Sequence, residues 1–129
     1  MAARRRRVAK KRSPMAQLRE AALSYPGAVE EFPWGESVVK VKGKVFVFLG
    51  REGEDAVGCS LKLPHSAELA RTLPFCEPTG YGLGKAGWVT ASFPGGKNVP
   101  LPLLLQWLDE SYRAVAPKKL VATLPPRGP

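Results

Sequence analysis

The chain has 129 residues and a mass of 14.0 kDa, which suits one small domain with or without a tail. Its 20 basic residues outnumber its 11 acidic ones, but seven of the basic residues lie within residues 1–12, so the rest is nearly neutral. Two prolines interrupt the longest apolar stretch, around residues 99–108, which excludes a membrane-spanning segment. No apolar run follows the basic start, unlike in a secretory signal, and two cysteines exclude a disulfide framework or a zinc site.

The first 14 residues form a basic tail whose like charges favour disorder. We expect it to contact nucleic acid through Arg4, Arg5, Arg6 and Arg7. Contact with an anionic surface, a localisation signal and the absence of any role are the alternatives. A further alternative is that the protein starts at Met15 and the basic stretch is a misread frame.

Helical patterns lie at both ends of the remaining chain. Ser13 and Pro14 match an N-cap and a first-turn proline, so a helix is predicted over Met15–Tyr25. Near the other end, apolar residues recur every three or four positions and predict a longer amphipathic helix over about Pro102–Ala116. A third, short helix is predicted over His65–Leu73.

Strand patterns fill the middle of the chain. Alternating or continuous apolar residues predict four strands, over Ser37–Lys42, Lys44–Leu49, Ala56–Leu63 and Trp88–Phe93. Short turns join the first three of these strands, which is typical of an antiparallel meander. Strands placed between terminal helices favour an α+β fold over a parallel α/β sheet.

Catalytic and metal-binding constellations are sparse in this sequence. His65 is the only histidine and follows a proline at a predicted helix start, so we expect a solvated or capping role. Cys59 falls on the inward face of a predicted strand, and Cys76 lies in a predicted loop without an activating neighbour. The adjacent carboxylates Glu30 and Glu31 lack a partner for acid–base catalysis. We therefore expect no enzyme activity, no metal and no cofactor.

A glycine-rich stretch from Gly80 to Lys85 invites comparison with phosphate-binding loops. A Walker loop needs a glycine where this chain has Thr79 and a hydroxyl residue where it has Ala86. The dinucleotide fingerprint fails because Lys85 occupies the position of its last glycine. The stretch is therefore predicted to be a tight, exposed loop.

One mixed constellation remains, in which aromatic rings are interspersed with basic side chains. Rings stack on bases and ammonium groups contact phosphates, so this combination suits nucleic acid. The alternative is that Trp88 belongs to the core and that the lysines solubilise the strands. The candidate contact residues are Trp34, Lys40, Lys42, Lys62, Tyr81, Lys85 and Trp88.

Several short motifs follow one another in a distinctive order along the chain. They are Leu18-Arg19-Glu20, Pro26-Gly27, Glu31-Phe32-Pro33-Trp34-Gly35, Lys40, Gly43-Lys44, Phe46, Leu61-Lys62, Gly80-Tyr81, Gly87-Trp88-Val89 and Asp109-Glu110-Ser111-Tyr112. Together they resemble the MmcQ/YjbR family of small bacterial proteins over about Met15–Lys119. The resemblance implies a CyaY-like two-layer sandwich, in which a twisted antiparallel sheet is flanked by N- and C-terminal helices. It also implies DNA binding, the description commonly given to the family on grounds of fold.

The implied fold is shared with frataxin-like proteins, which raises iron binding as a rival expectation. Those proteins carry an acidic ridge on the first helix, whereas the first helix predicted here has only Glu20. Iron binding is therefore disfavoured.

The sequence predicts a disordered basic tail over residues 1–14, a single domain over residues 15–119 and a C-terminal tail over residues 120–129. We expect a cytoplasmic, monomeric and non-enzymatic protein that binds nucleic acid, DNA in particular. The alternative is an interaction module that binds a protein or a small acidic ligand beside Trp34 and Tyr81.

Overall fold

The computed structural model describes residues 13–33, 36–51, 57–80 and 82–126. The strands are β1 (Ala28–Glu31), β2 (Glu36–Val41), β3 (Lys44–Arg51), β4 (Val57–Lys62), β5 (Cys76–Pro78) and β6 (Trp88–Phe93). The α-helices are α1 (Pro14–Leu23), α2 (Ala67–Ala70), α3 (Leu101–Val115) and α4 (Lys118–Val121), and two short 3-10 helices lie before and after β6, at Leu83–Ala86 and Pro94–Gly96. The strands form one antiparallel sheet in the order β1-β2-β3-β4-β6-β5, and the described α-helices pack on one of its faces. The expected α+β class is confirmed.

Helix α1 begins where its capping residues predict. The Ser13 hydroxyl accepts a hydrogen bond of 3.1 Å from the backbone N–H three residues later, and Pro14 is the first helical residue. The helix buries Leu18 and Ala22 and ends at Leu23, two residues earlier than predicted.

The predicted meander is confirmed as β2, β3 and β4. Lys42 and Gly43 connect the first two strands with φ angles of 50° and 80°, the positive values that a two-residue hairpin turn requires. In β3, the residues Phe46 and Leu49 have no partner in β2, and both side chains are buried in the core. Each of these unpaired residues forms a β-bulge. The two bulges change which side chains of β3 face the helices, and they leave Phe48 on the opposite face.

Two short edge strands, β1 and β5, are absent from the sequence-based prediction. Strand β5 pairs with β6 and contains Cys76, so the prediction of a loop at this cysteine is wrong. The predicted helix over His65–Leu73 is also shorter than expected, because only the four residues of α2 are helical.

The core lies between the sheet and helices α1 and α3. Helix α3 begins and ends one residue before the predicted bounds and directs a stripe of large side chains inward, namely Leu104, Trp107, Leu108 and Tyr112. The rings of Tyr25 and Tyr112 stack with centroids 4.5 Å apart, and Phe46 packs edge-on against both. This aromatic cluster joins the chain after α1, the central strand β3 and helix α3.

The described chain continues to contact the core after Lys119. Leu120, Val121 and Leu124 are partly buried against it, so this part of the expected C-terminal tail packs on the domain. Among the helices that the structure describes, each is too short or too polar to cross a membrane.

Candidate functional site

The sheet face opposite the helices carries several of the predicted contact residues. One cross-strand row on this face runs through all six strands as Glu31, Val38, Phe48, Ser60, Thr90 and Glu77. A second row has two paired parts, Val29–Lys40–Val45 on β1 to β3 and Lys62–Trp88 on β4 and β6. We call these two rows the outer face. The described α-helices pack on the other face, and Val38 and Trp88 are buried (2% and 7% exposed) outside the core cluster beneath those helices.

The centre of the outer face is aromatic. Trp88 and Phe48 pack with ring centroids 5.3 Å apart and an interplanar angle of 63°. Trp88 is only 7% exposed, so its ring packs within the face instead of being offered for stacking, whereas Phe48 is half-buried. Sequence reasoning missed Phe48 because the apolar run of β3 does not reveal the bulges that turn it outward.

The lysines of the outer face differ in their charge environment. Lys40 forms an ion pair of 2.9 Å with Glu31, so part of its charge is already neutralised. Lys62 is the cross-strand partner of Trp88 and is half-buried beside it. No carboxylate among the described residues lies within 4.0 Å of the Lys62 ammonium group. Lys62 is therefore the stronger candidate for contact with an anion.

Further lysines gather at one end of the sheet. Lys42 occupies the β2–β3 turn and Lys44 begins β3, and both are exposed. Because β4 is antiparallel to β3, its last residue, Lys62, lies at the same end as this turn. The glycine-rich loop with the exposed Lys85 precedes β6 at this end too. We call Lys42, Lys44, Lys62 and Lys85 the basic end of the sheet; Lys44 was not among the predicted contact residues.

Several predicted contact residues lie outside the described part of the chain. They are Trp34, Tyr81, Arg4, Arg5, Arg6 and Arg7. Their roles in nucleic-acid binding stay predictions, as does the alternative of a ligand beside Trp34 and Tyr81.

Hydroxyl groups connect the outer face to the glycine-rich loop. The Ser60 and Thr90 hydroxyl oxygens are 2.7 Å apart, and the Thr90 and Thr79 hydroxyl oxygens are 2.9 Å apart. These side chains cross from β4 to β6 and on to the start of the loop. They provide polar groups beside the aromatic pair.

The helical segment Asp109–Tyr112, singled out by its sequence, makes structural contacts with four different parts of the chain. Asp109 accepts hydrogen bonds from the Tyr25 hydroxyl at 2.9 Å and from Arg113 Nε at 2.7 Å. The Tyr112 hydroxyl donates to the Pro26 carbonyl at 2.6 Å, and burial raises its pKa, so this hydroxyl stays protonated. Asp109 and Arg113 thus form an ion pair one helical turn apart.

Ser111 connects helix α3 to the two central strands. Its hydroxyl accepts a hydrogen bond of 2.9 Å from the Lys62 backbone N–H and donates one of 2.5 Å to the Phe46 carbonyl. Regular pairing of β3 with β4 covers only Val47–Leu61 and Phe48–Ser60, so the hydroxyl satisfies backbone groups beyond the end of the ladder.

Glu110 is 3% exposed and holds the turn before α2. One carboxylate oxygen accepts hydrogen bonds from the backbone N–H groups of His65 and Ser66, at 2.7 and 3.0 Å. The other accepts from the Ser66 hydroxyl at 2.6 Å. His65 itself is exposed, in keeping with a solvated residue.

The adjacent carboxylates Glu30 and Glu31 each have a basic partner. Arg19 donates to Glu30 from Nε at 2.8 Å and from Nη2 at 2.5 Å, and the Ser37 hydroxyl donates to it at 2.6 Å. The hydrogen bonds from Arg19 hold the pKa of Glu30 below its usual range, against the opposing effect of burial. An ionised carboxylate fixed in this way links α1 to β1 and β2.

The two cysteines are free thiols. Burial raises the pKa of Cys59 to about 12 and that of Cys76 to about 11, so neither has the thiolate character of a nucleophile. Within the described ranges, no three histidine, cysteine or acidic side chains come together as a metal site would require.

A family model described as YjbR matches residues 23–114. This match covers more than half of the chain. The chain belongs to the YjbR family. The matched segment runs from the end of α1 to the end of α3, and it includes the outer face, the glycine-rich loop and the Asp109–Tyr112 segment.

Two solved structures resemble this YjbR protein. Deinococcus radiodurans protein DR2400, described with the family-model domain DUF419, is 31% identical with a TM-score of 0.64, and the match covers 79% of this chain and 80% of that one. A protein from Pseudomonas syringae is 17% identical with a TM-score of 0.58, over 77% of this chain and 96% of that one. The second likeness is one of fold alone. No curated protein matches the chain.

Proposed function

We propose that this YjbR-family chain is a non-enzymatic, cytoplasmic protein that binds nucleic acid, DNA in particular, through the outer face and the basic end of its sheet. One observation carries the proposal. Lys62 lies beside the Phe48–Trp88 pair, on the sheet face opposite the described α-helices.

The distribution of charge supports an anionic ligand at this place. Over the whole body, basic and acidic residues nearly balance after residue 12. Several acids are already engaged, however, since Glu30, Glu31 and Asp109 form ion pairs and Glu110 is buried in hydrogen bonds. The four lysines of the basic end have no carboxylate within 4.0 Å among the described residues. Their positive charge is therefore available to phosphates.

The acids of the outer face lie at its margins. Glu31 belongs to the edge strand β1 and is paired with Lys40, and Glu77 belongs to the opposite edge strand β5. A strand of nucleic acid along the central strands would meet Lys62, the hydroxyls of Ser60 and Thr90, and the partly exposed ring of Phe48. Ammonium groups hold phosphates, while hydroxyls and a ring contact sugars and bases.

The tail would strengthen this binding without adding specificity. Residues 1–12 contain seven basic residues and no acid, so they supply phosphate contacts that depend on salt. Binding by the tail must therefore be separated from binding by the folded body.

The test measures fluorescence anisotropy of labelled duplex and single-stranded DNA with the chain lacking residues 1–12. Lys62→Glu places a negative charge in the candidate interface, and Lys97→Glu is the matched control at the other end of β6. We expect Lys62→Glu to weaken binding about tenfold, equivalent to about 1.4 kcal/mol, and Lys97→Glu to leave it nearly unchanged. Equal effects of the two substitutions, or no binding by the truncated chain, would reject this interface.

A further inference from the structure

An open pocket lies beside the glycine-rich loop, at the β5 edge of the sheet. It has a volume of about 470 Å³, within the range of small-molecule sites. Its walls come from the residue after α2, from the end of β5 and from the loop, namely Arg71, Pro78, Thr79, Gly82, Gly84 and Lys85. Only Lys85 is shared with the basic end of the sheet.

We call this site the glycine-loop pocket. Its described side chains carry positive charge that no described carboxylate neutralises. Arg71 and Lys85 line the pocket, and none of the lining residues that the structure describes is acidic. Among the described residues, no carboxylate lies within 4.0 Å of either side chain, although Glu68 is only one turn before Arg71. Two cations in one pocket favour an anion of charge −2 over a singly charged one.

One hydrogen bond links the exposed Arg71 side chain to the loop. One terminal nitrogen of Arg71 donates a hydrogen bond of 3.3 Å to the Gly84 carbonyl. A guanidinium group has five N–H donors in a planar fork, so the remaining donors are free to bind two oxygens of one anion. Lys85 adds a mobile point charge from the loop.

The glycines make room for an anion near the backbone. Gly82 has a φ of 78°, and, its two chain neighbours aside, no atom of the described residues lies within 4 Å of the position that a Cβ would take there. At Gly84, a Cβ would lie 2.8 Å from Pro78 Cβ, so the lack of a side chain allows the loop to pack against β5 and form the wall.

We propose that the glycine-loop pocket binds a phosphate monoester in its dianionic form, with Arg71 contacting two phosphate oxygens and Lys85 neutralising the remaining charge. A monoester carries nearly two negative charges above its second pKa of about 6, whereas a backbone diester carries one. The phosphate belongs either to a free mononucleotide or similar ester, or to the phosphorylated end of a nucleic-acid strand. The proposal shares Lys85 with the basic end of the sheet, but it does not depend on nucleic-acid binding by the outer face, because Arg71 and the loop carry it.

The test titrates the full chain with adenosine monophosphate, adenosine and inorganic phosphate at constant ionic strength. Backbone amide shifts of Gly82 and Gly84 in NMR spectra report the site, and calorimetry gives the affinity. We expect shifts with the monophosphate and with phosphate but not with adenosine. Arg71→Met weakens binding of the monophosphate about tenfold or more, and Lys97→Met, which removes a lysine outside the pocket, leaves it unchanged.

Two results would overturn the pocket proposal. One is equal binding of the monophosphate by the wild-type chain and by Arg71→Met, and the other is equal binding of adenosine and its monophosphate. Lys85→Met provides a second variant at an exposed position, where a folding defect is not expected.

A DNA strand with a 5′-phosphate, compared with the same strand bearing a 5′-hydroxyl, identifies the source of the phosphate. If the wild-type chain prefers the 5′-phosphorylated strand and Arg71→Met does not, the phosphate is that of a strand end. If the two strands bind equally and the monophosphate still binds, the phosphate is that of a free ester. The outer-face proposal is tested separately with the 5′-hydroxyl strand. If Lys62→Glu binds this strand as tightly as the wild-type chain does, the outer-face proposal fails.

Discussion

The backbone N–H of Lys62 donates a hydrogen bond of 2.9 Å to the buried hydroxyl of Ser111. The Lys62 side chain belongs to the outer face, whereas Ser111 belongs to helix α3 on the opposite side of the sheet. The position of the candidate contact residue is therefore fixed by the core. A contact residue held by a rigid element keeps its geometry when a ligand arrives.

Ser111→Ala should destabilise the protein by about 1–3 kcal/mol, because it leaves the Lys62 N–H and the Phe46 carbonyl without their partner. Urea unfolding followed by circular dichroism measures the change. Ser92→Ala, at an exposed position on β6, is the matched control and should have little effect. Equal midpoints for the two variants would show that the bridge adds nothing to stability.

The lowered pKa of Glu30 predicts that the folded protein loses part of its stability at acid pH. Its pKa is lower in the folded protein than the ordinary value of 4.5, mainly because of hydrogen bonds from Arg19. The ionised Glu30 therefore stabilises the fold at pH values above its ordinary pKa, and this stabilisation is lost as the pH falls through its pKa in the folded protein. Urea midpoints measured between about pH 7 and pH 3 should fall less steeply for Glu30→Gln than for wild type.

Arg19→Gln removes the main cause of the lowered pKa of Glu30 and should flatten the same part of the pH profile. A Glu30→Gln variant that keeps the wild-type slope at acid pH would contradict this assignment.

The thiols should react slowly in the folded protein. With a pKa of about 11, Cys76 holds about a hundredfold less thiolate near pH 8 than a thiol of pKa 9.0, and its alkylation should be slower in proportion. Cys59 has a pKa of about 12 and is 4% exposed, so its modification should require unfolding. Iodoacetamide labelling followed by mass spectrometry distinguishes the sites. Labelling of folded Cys76 at the rate reached in urea would refute the prediction.

Substitution by alanine should affect the stability of the protein differently at two glycines of the loop. At Gly84 the new Cβ would lie 2.8 Å from Pro78 Cβ and 3.2 Å from the Thr79 carbonyl oxygen, so we expect a loss of about 1–3 kcal/mol. At Gly80, apart from its chain neighbours, no described atom lies within 4 Å of the new Cβ, so Gly80→Ala should change stability by less than about 1 kcal/mol. Thermal unfolding compares the two variants, and a Gly84→Ala protein as stable as Gly80→Ala would show that the loop relaxes freely.

Local signals predict the main helices and the meander. The Ser13 cap and Pro14 set the start of α1, and the spacing of apolar residues gives α3 to within one residue. Strand β1 escapes prediction because one of its two inward positions is filled by Glu30, an ion-paired acid, and the other only by the small Ala28. Strand β5 has only three residues, and one of them is a proline, which argues against a strand.

The candidate site could be predicted only in part, since it depends on which strands are neighbours. Lys62 was selected as a candidate by its residue type alone. Its position beside Trp88 follows from the pairing of β4 with β6, and a connection of 25 residues separates these two strands in the sequence. The neutralisation of Lys40 likewise depends on the unpredicted β1. Arg71 enters the pocket through tertiary packing, and no local pattern marks it.

The central claim is that the folded body contributes its own phosphate contacts, and the salt dependence of DNA binding tests it most directly. Anisotropy titrations at several salt concentrations compare the full chain with the chain lacking residues 1–12. If the four lysines of the basic end contact phosphates, the truncated chain should bind duplex DNA with a log–log salt slope of about −3 to −4. The tail would add up to about −6 in the full chain. Binding that disappears with the tail, or a slope near zero for the truncated chain, would contradict the claim.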